Sequence, residues 1–409
     1  MSFGGTHGAV IFLGMNEIYI GENLSVLKSD MLEKYHGKVK VIYTDPPYNT
    51  KKKKAYNDTM DSDEWANFMK ERLVLCRAML KENGVIFISI DDNEFAKLKV
   101  TCDSVFGEKN YIGTFITMQS QRSNAKLINI VHEYVIAYAK NKSKTEKFSI
   151  KRVNTPDGKE LIDSLYSSVN KIVKNEGTEV ANEKIKPIIK KYCLENSIDW
   201  LKNYANVDEN GKIFFPIDLS TPGVPREVNI PSISLHLEPL KTRGWSTDEK
   251  FIEVYNDGRL VFRNGRPYKK HYLEESEDNA SSVLKYYSRM GTKDLKDLGM
   301  DGVFDTPKPV ELIKYLLRIA GCDNGDIVMD IFAGSGTMAQ SVYEINKEDG
   351  KKIEYVIIQQ HESITKDSES YNKCVELGIE PFVDKVMLYR INRFLEKEGK
   401  DIDYNLENS

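Results

Sequence analysis

Hydrophobic and polar positions change their spacing several times along the chain, and each change marks an element. Lys38–Thr44 (KVKVIYT) suits a strand that runs straight into a Pro-Pro turn. From Asp63 to Lys81, Trp65, Phe68, Met69, Leu73, Cys76, Met79 and Leu80 fall on one face at helical spacing, and Gly84 stands where a helix stop is expected. Val85–Ile90 (VIFISI) is a short apolar run of the kind found in strands buried on both faces. A further helix ends at Gly107, and Tyr111–Met118 and Glu133–Ala139 read as two more strands.

Between Asn141 and about Met300 this strand–helix alternation is lost. Runs such as KNKSKTEK and LEESEDNASS are polar, and the segment reads as an inserted domain. The alternation then returns. Pro309–Ala320 predicts a helix that opens with Pro and closes at Gly321. Asp326–Phe332 predicts a strand, followed by the turn Ala333–Thr337 and a helix through Tyr343. Tyr355–Gln359 is the next strand and Val383–Lys397 a final amphipathic helix. The expected plan is one α/β sheet whose halves, residues 1–140 and 301–409, flank an insertion at 141–300.

Composition adds mainly exclusions. A length of 409 residues allows two or three domains, and the net charge of −4 announces no nucleic-acid binder, although a local basic face remains compatible with it. Cys76, Cys102, Cys193, Cys322 and Cys374 are scattered singly, which argues against zinc ribbons, a redox dithiol or a disulfide framework. No apolar run approaches the length that crosses a bilayer, and the N-terminus lacks the basic start and cleavage site of a signal peptide. A cytoplasmic protein without a membrane partner is expected.

The most informative residues are Asp45, Pro46, Pro47 and Tyr48. An apolar strand delivers them to the carboxyl edge of the sheet, where open α/β proteins place ligands. The proline pair stiffens the backbone, so that a carboxylate, a carbonyl and an aromatic face are held together. These three features suit a planar base with an amino group. Hydrogen bonds accepted from both amine hydrogens, by Asp45 and the Pro46 carbonyl, would free the nitrogen lone pair for attack, while Tyr48 stacks on the base. The plainer reading is that an acid and two prolines end a strand.

A second strand, ending in Asp330-Ile331-Phe332, enters the turn Ala333-Gly334-Ser335-Gly336-Thr337 and then a helix. Such a turn lets backbone approach a ligand closely, with free N–H groups at the helix start. On its own it serves a dinucleotide, a phosphate or only a tight turn. It lacks the lysine of a P-loop, and Ala339 stands where a third glycine of a dinucleotide fingerprint would fall. A third piece, Phe304-Asp305-Thr306-Pro307-Lys308-Pro309, reads as a helix N-terminus capped by Asp305 or Thr306, placed to close a cofactor pocket from the other side.

The order of these pieces, DPPY, insertion, FDTPKP and FAGSGT, resembles the β class of amino-methyltransferases of DNA, most closely the modification (Mod) subunits of type III restriction–modification systems. Further stretches are similar: Gly21-Glu22-Asn23, DPPY extended through Asn49 and Thr50, His132-Glu133-Tyr134, and, within the insertion, Gly244-Trp245 and Gly258-Arg259-Leu260. The resemblance implies a Rossmann-like, mostly parallel, circularly permuted seven-stranded sheet with an inserted target-recognition domain. It implies S-adenosylmethionine as cofactor and adenine N6 in duplex DNA as the target, with no metal. Asp45, Pro46, Pro47 and Tyr48 would then be catalytic, with Asp45 also bordering the cofactor. Phe304, Thr306, Lys308, Asp330, Phe332, Gly334, Ser335, Gly336 and Thr337 would hold the cofactor, with Gln360 or Glu362 meeting its ribose. The sequence departs from the family there, since Gln359-Gln360-His361-Glu362 puts glutamine where a carboxylate is usual. A homodimer and a separate restriction subunit are further implications.

The target nitrogen must leave the base stack to be attacked in line, so the base is expected to flip out. The insertion is the candidate reader of the surrounding sequence. Lys241, Arg243, Arg259, Arg263, Arg266, Lys269 and Lys270 lie close to Trp245, Phe262 and Tyr268, against the plainer reading of a solvated surface with core aromatics. Lys51, Lys52, Lys53 and Lys54 suggest a loop near DNA, or merely a solvated one. Three alternatives stand beside adenine methylation: cytosine-N4 methylation, which Asp45 disfavours, an NAD-dependent oxidoreductase, and a non-catalytic DNA-binding protein.

Overall fold

The computed structural model describes residues 9–50, 60–119, 127–397, 399 and 405–407. They form two compact units, one made of Met1–Ser149 with Asn279–Ser409 and the other of Ile150–Asp278. The inserted unit is therefore shorter than the 141–300 read from polarity. Polar runs on either side of it belong to the first unit, because solvent-facing loops of one domain look like linkers to another.

The first unit is built on a sheet with strands β1 (Val10–Leu13), β2 (Asn16–Ile20), β3 (Val39–Thr44), β4 (Leu80–Ile90), β5 (Tyr111–Met118), β6 (His132–Ala139), β7 (Ile327–Asp330) and β8 (Glu354–Gln359). Its order is β5-β6-β4-β3-β7-β8-β2-β1, with Val283–Leu284 beside β5 and Asn405–Glu407 beside β1. The expected seven strands are the run from β5 to β2. Three short edge pieces extend it to ten, and their brevity hid them in the sequence. The pairs β4–β3, β3–β7, β7–β8 and β8–β2 are parallel, whereas β6 runs antiparallel to both β4 and β5.

Every residue of β3 is buried, which explains its near-continuous apolar run: a central parallel strand is covered on both faces. One layer over it includes the helix Ser62–Met79, whose Trp65, Met69, Leu73, Cys76 and Met79 join Ile42, Ile86 and Met329 in one core. The apolar spacing that predicts this helix is thus the seam it packs along. Gly84 is not its stop. The helix ends at Met79 and β4 begins at once, with a register shift opposite Val39 and Val41. A Cβ on Gly84 would come within 2.9 Å of the Lys81 and Val39 carbonyl oxygens, so glycine is needed for the irregular pairing.

The second unit contains two regular helices that the loss of alternation concealed, Pro156–Glu176 and Thr178–Glu195. They pack together through Ile162, Leu165, Val169, Ala181, Ile185 and Ile189, a sparse stripe in otherwise charged segments. A four-stranded sheet, in the order Leu260–Arg263, Arg266–Tyr272, Ile213–Asp218 and Asn206–Val207, belongs to the same unit. Asn264 and Gly265 both have positive φ at the hairpin tip, as a two-residue turn of this type requires. Among the described residues no helix is long and apolar enough to cross a membrane.

Candidate active site

Asp45–Tyr48 leave the carboxyl end of β3 and are pinned from behind. The Trp65 indole N–H donates to the Pro47 carbonyl at 2.7 Å. Asn49, buried and at φ 55°, donates to Glu94 Oε1 at 2.7 Å and accepts the Met60 N–H at 2.8 Å. Ser62 Oγ holds the other Glu94 oxygen at 2.7 Å. Asparagine is one of the few residues that enters this left-handed region readily, which accounts for the DPPYN sequence.

Lys308 is the hub of the site. Its Nζ donates to the Tyr48 hydroxyl at 2.7 Å and to Glu133 Oε2 at 3.0 Å, and lies 3.2 Å from Asp45 Oδ1. It also sits 4.8 Å from the centre of the Tyr48 ring. The Tyr48 hydroxyl donates on to Glu133 Oε2 at 3.2 Å. Asp45 Oδ1 is buried and takes no well-aligned hydrogen bond among the described residues.

Burial raises the proton affinity of Asp45, Lys308 opposes that rise, and Glu133 adds to it; the net shift is upward. Burial disfavours the Lys308 charge, but Asp45 and Glu133 outweigh it and hold the ammonium above the usual lysine range. On β7, burial pushes Asp330 up to about 8, against the hydrogen bond from the Phe332 N–H (3.0 Å) and with the Asp45 charge assisting.

The glycine turn is fixed by contacts that arrive from three sides. Gly334 and Gly336 have φ of 52° and 81°. A Cβ on Gly334 would lie 3.4 Å from the Phe304 ring, and one on Gly336 would lie 3.0 Å from Met387 Cγ. The Gly334 N–H donates to Gln359 Oε1 at 2.7 Å. Arg390, fully buried, donates to Ser335 Oγ, Thr337 Oγ1 and Gln340 Oε1, each at 2.9 Å. Burial lowers its guanidinium to about 10. Asn23 donates to the Ile331 carbonyl at 2.9 Å and accepts from Arg72 Nε at 2.7 Å, so the similar Gly-Glu-Asn stretch clamps the strand that feeds the turn.

The two loops share one cleft. Tyr43, Asp45, Pro47, Phe304, Thr306, Lys308, Asp330, Phe332, Gly334, Ser335, Thr337, Gln359 and Glu362 line it together. The Thr337 hydroxyl donates to the Lys308 carbonyl at 3.2 Å, which ties the FDTPKP segment to the turn. The sequence profile described as DNA methylase, for N6 and N4 methylation, matches residues 39–370, a span that starts at the strand feeding this cleft and passes its last lining acid. The chain belongs to the N6/N4 DNA methylase family.

Within the family it is similar to the type III restriction-modification enzyme EcoP15I Mod subunit of Escherichia coli, at 31% identity over 89% of this chain and 62% of that protein. It is 30% identical to the EcoPI Mod subunit of Escherichia phage P1, over 87% of this chain and 59% of that one. The type II methyltransferase M.KpnI of Klebsiella pneumoniae is 28% identical, over 87% and 83%. The chain thus spans about three fifths of the length of the two Mod subunits.

Of the residues the sequence singles out for catalysis and the cofactor, most line this cleft, but Pro46, Tyr48, Gly336 and Gln360 do not. Gln360 is exposed and does not line it; the buried neighbour Gln359 does, and it bonds the glycine turn. Asp305 and Thr306 do not cap the following helix. Val310–Ile319 starts after Pro309, and the Val310 N–H is taken by Asp294 Oδ2 at 2.9 Å, while Asp305 accepts from Ser370 Oγ at 2.7 Å. Glu133, Gln359 and Arg390 are site residues that the motifs do not single out for these roles. A charged residue opening the apolar strand HEYVIAYA is the available signal for Glu133; nothing local marks Arg390, which reaches the turn only through the fold.

In the second unit the basic stretch is largely committed to its own fold. Arg259 pairs with Glu275 at 2.6 Å, Arg263 bonds Asn206, and Arg266 pairs with Asp218 at 3.2 Å. Lys270 is buried against Glu209 at 3.0 Å, and Arg243 donates to the Ser220 carbonyl at 3.0 Å. Trp245 is buried, its indole N–H on the Glu238 carbonyl at 2.9 Å, whereas Phe262 remains 51% exposed. The stretch is therefore not an unengaged basic face. Lys51, Lys52, Lys53 and Lys54 lie outside the described residues.

Proposed function

We propose that the protein methylates the N6 amine of adenine in duplex DNA, as the modification subunit of a restriction–modification system. The single observation that carries the reading is the common cleft that Asp45 and Lys308 share with the Gly334–Thr337 turn. A gripped amine and a donor methyl have to meet in one space, and the parallel pairing of β3 with β7 supports that meeting.

The cleft suits S-adenosylmethionine by its chemistry. Gly334 lines the cleft at positive φ, where a Cβ would press on the Phe304 ring, and Glu362 offers an acidic partner for a ligand with an ammonium and a sulfonium. When bound, the cofactor supplies an electrophilic methyl group. Phe304, Phe332, Gly334, Ser335 and Thr337 would hold it, with Gln359 and Glu362 on the ribose side.

The chain's own residues do the rest. Asp45 accepts one amine hydrogen and the Pro46 carbonyl the other, so that the nitrogen turns pyramidal and its lone pair is free. Tyr48 stacks on the extruded base and, with its hydroxyl held by Lys308 and Glu133, keeps one orientation. Positioning of this kind supplies much of a barrier reduction. The spent proton leaves after transfer, when the substituted nitrogen has become acidic.

The inserted unit, Ile150–Asp278, is proposed to recognise the DNA sequence, with the exposed Phe262 and the lysines Lys241 and Lys269 on its accessible surface. The names of the two Mod subunits support a separate restriction subunit as partner, and the family resemblance a homodimer. Single-molecule sequencing of DNA from cells that express the protein tests the reading. N6-methyladenine in a fixed context is expected; N4-methylcytosine instead, or unmodified DNA, overturns it.

A further inference from the structure

Lys308 is expected beside the cofactor, yet its ammonium points elsewhere. It contacts Asp45, which lines the cleft, together with Tyr48 and Glu133, and Asp45 and Tyr48 are the residues proposed to grip the base. An ammonium and an amine offer the same kind of donor, so Lys308 and the target amine address the same carboxylate. Glu133 gives the ammonium a second acceptor, and the Tyr48 hydroxyl a third. Lys308 can therefore stay beside Asp45 without using both of its oxygens.

We propose that Lys308 is a positioning residue for the target amine: anchored on Glu133 and the Tyr48 hydroxyl, its ammonium keeps Asp45 in the carboxylate form that accepts one of the amine hydrogens. The inference rests on the proposed role of Asp45 in methyl transfer. Its physical basis is a crowding of acids. Asp45 from the end of β3, Glu133 from β6 and Asp330 from β7 converge with the phenols of Tyr43 and Tyr48, and Lys308 is the cation that faces Asp45 among the described residues. A protonated Asp45 would present an O–H where the amine needs an acceptor. The carboxylate form of Asp45, with Oδ1 buried, depends chiefly on the Lys308 charge 3.2 Å away.

The two neighbours of Asp45 act with opposite sign, and this makes the assignment testable. Removing the cation raises the proton affinity of Asp45, and removing the anion Glu133 lowers it. Methyl transfer from radiolabelled S-adenosylmethionine to unmethylated plasmid DNA is measured from pH 5 to 9 for the full chain. Lys308→Met is expected to move the acid limb of kcat up by about one unit, a loss of about tenfold below the limb, with recovery in alkali. Lys308→Arg keeps the limb in place, Glu133→Gln moves it down, and cofactor affinity by calorimetry stays unchanged in all three. An infrared difference spectrum of Lys308→Met against Lys308→Met/Asp45→Asn, taken at a pH between the two acid limbs, is expected to show a carboxylic C=O band of Asp45 over the Asp330 band common to both, and reads the same proton without turnover. A Lys308→Met profile lowered by one factor at every pH, or limbs that move the same way in Lys308→Met and Glu133→Gln, overturns the assignment. If Lys308→Met does not fold, the downward shift in Glu133→Gln decides alone. Failure of the unsubstituted protein to methylate adenine sinks the proposed function instead; transfer with unmoved limbs sinks only the role of Lys308.

Discussion

Tyr43 and Asp330 are direct partners across the parallel pair β3–β7, although they come from opposite ends of the chain. Two residues beyond Tyr43 stands Asp45, and four beyond Asp330 stands Gly334. One register therefore sets the distance between the carboxylate that would grip an amine and the turn that would hold a methyl donor. Both strands are buried along this stretch, so a slip would expose apolar side chains.

The first prediction follows from that pairing. Asp45→Ala removes the acceptor and leaves the glycine turn, Gln359 and Arg390 in place. Methyl transfer is expected to fall by roughly 10²–10³-fold or more, as when a preorganised hydrogen-bonding group is removed from an active site. S-adenosylmethionine binding by calorimetry should stay within a few-fold. A variant that turns over normally would remove Asp45 from the mechanism.

Much of this site is legible in the sequence because the chemistry sits in contiguous runs. Asp45–Tyr48 and Phe332–Thr337 each follow an apolar strand, and a strand end in an open α/β sheet is where ligands bind. Lys308 is visible only as a neighbour of the cofactor, because its partners Tyr48 and Glu133 come from other strands. Arg390 is not legible at all: a helix residue far along the chain reaches Ser335 and Thr337 only after the sheet is assembled. The helices Pro156–Glu176 and Thr178–Glu195 are hidden for a different reason, since their apolar stripes are narrow and the charged faces dominate the composition.

The glycine turn supplies a second prediction. Gly336→Ala combines a φ of 81° with a Cβ 3.0 Å from Met387 Cγ. The left-handed backbone alone costs about 1–2 kcal/mol for an L-residue. Because the turn borders the cleft, the loss is expected in cofactor affinity, by about tenfold, with a modest fall in melting temperature. Unchanged affinity in calorimetry would mean that the turn is not part of the binding site.

Asp330 gives a stability prediction with a definite sign. Its carboxyl is raised to about 8 in the fold, against about 3.9 in an unfolded chain. Between those values the native state holds a proton that the unfolded state does not, so this group's contribution to stability falls as pH rises from about 4 to 8. Asp330→Asn is neutral throughout and keeps an acceptor for the Phe332 N–H. Denaturant midpoints at pH 5, 7 and 9 should therefore decline less in the variant than in the unsubstituted protein. Parallel declines would show that Asp330 is ionised in the fold.

The pairing pattern in the second unit separates two kinds of basic residue. Arg259 sits on Glu275 at 2.6 Å and against the Tyr272 ring, so Arg259→Ala should lower stability, by about 1 kcal/mol for a partly exposed pair. It should leave the salt dependence of DNA binding nearly unchanged. Lys241 is exposed, and replacing it with Ala should weaken binding without destabilising the fold. Each phosphate that the protein no longer neutralises lowers the slope of log affinity against log salt by about 0.9. Titrations of duplex DNA across a range of salt concentrations, paired with thermal melts, read the two effects separately. If Arg259→Ala flattens the slope while its melting temperature holds, the ion pair opens to meet DNA, and the recognition surface includes the hairpin that carries it.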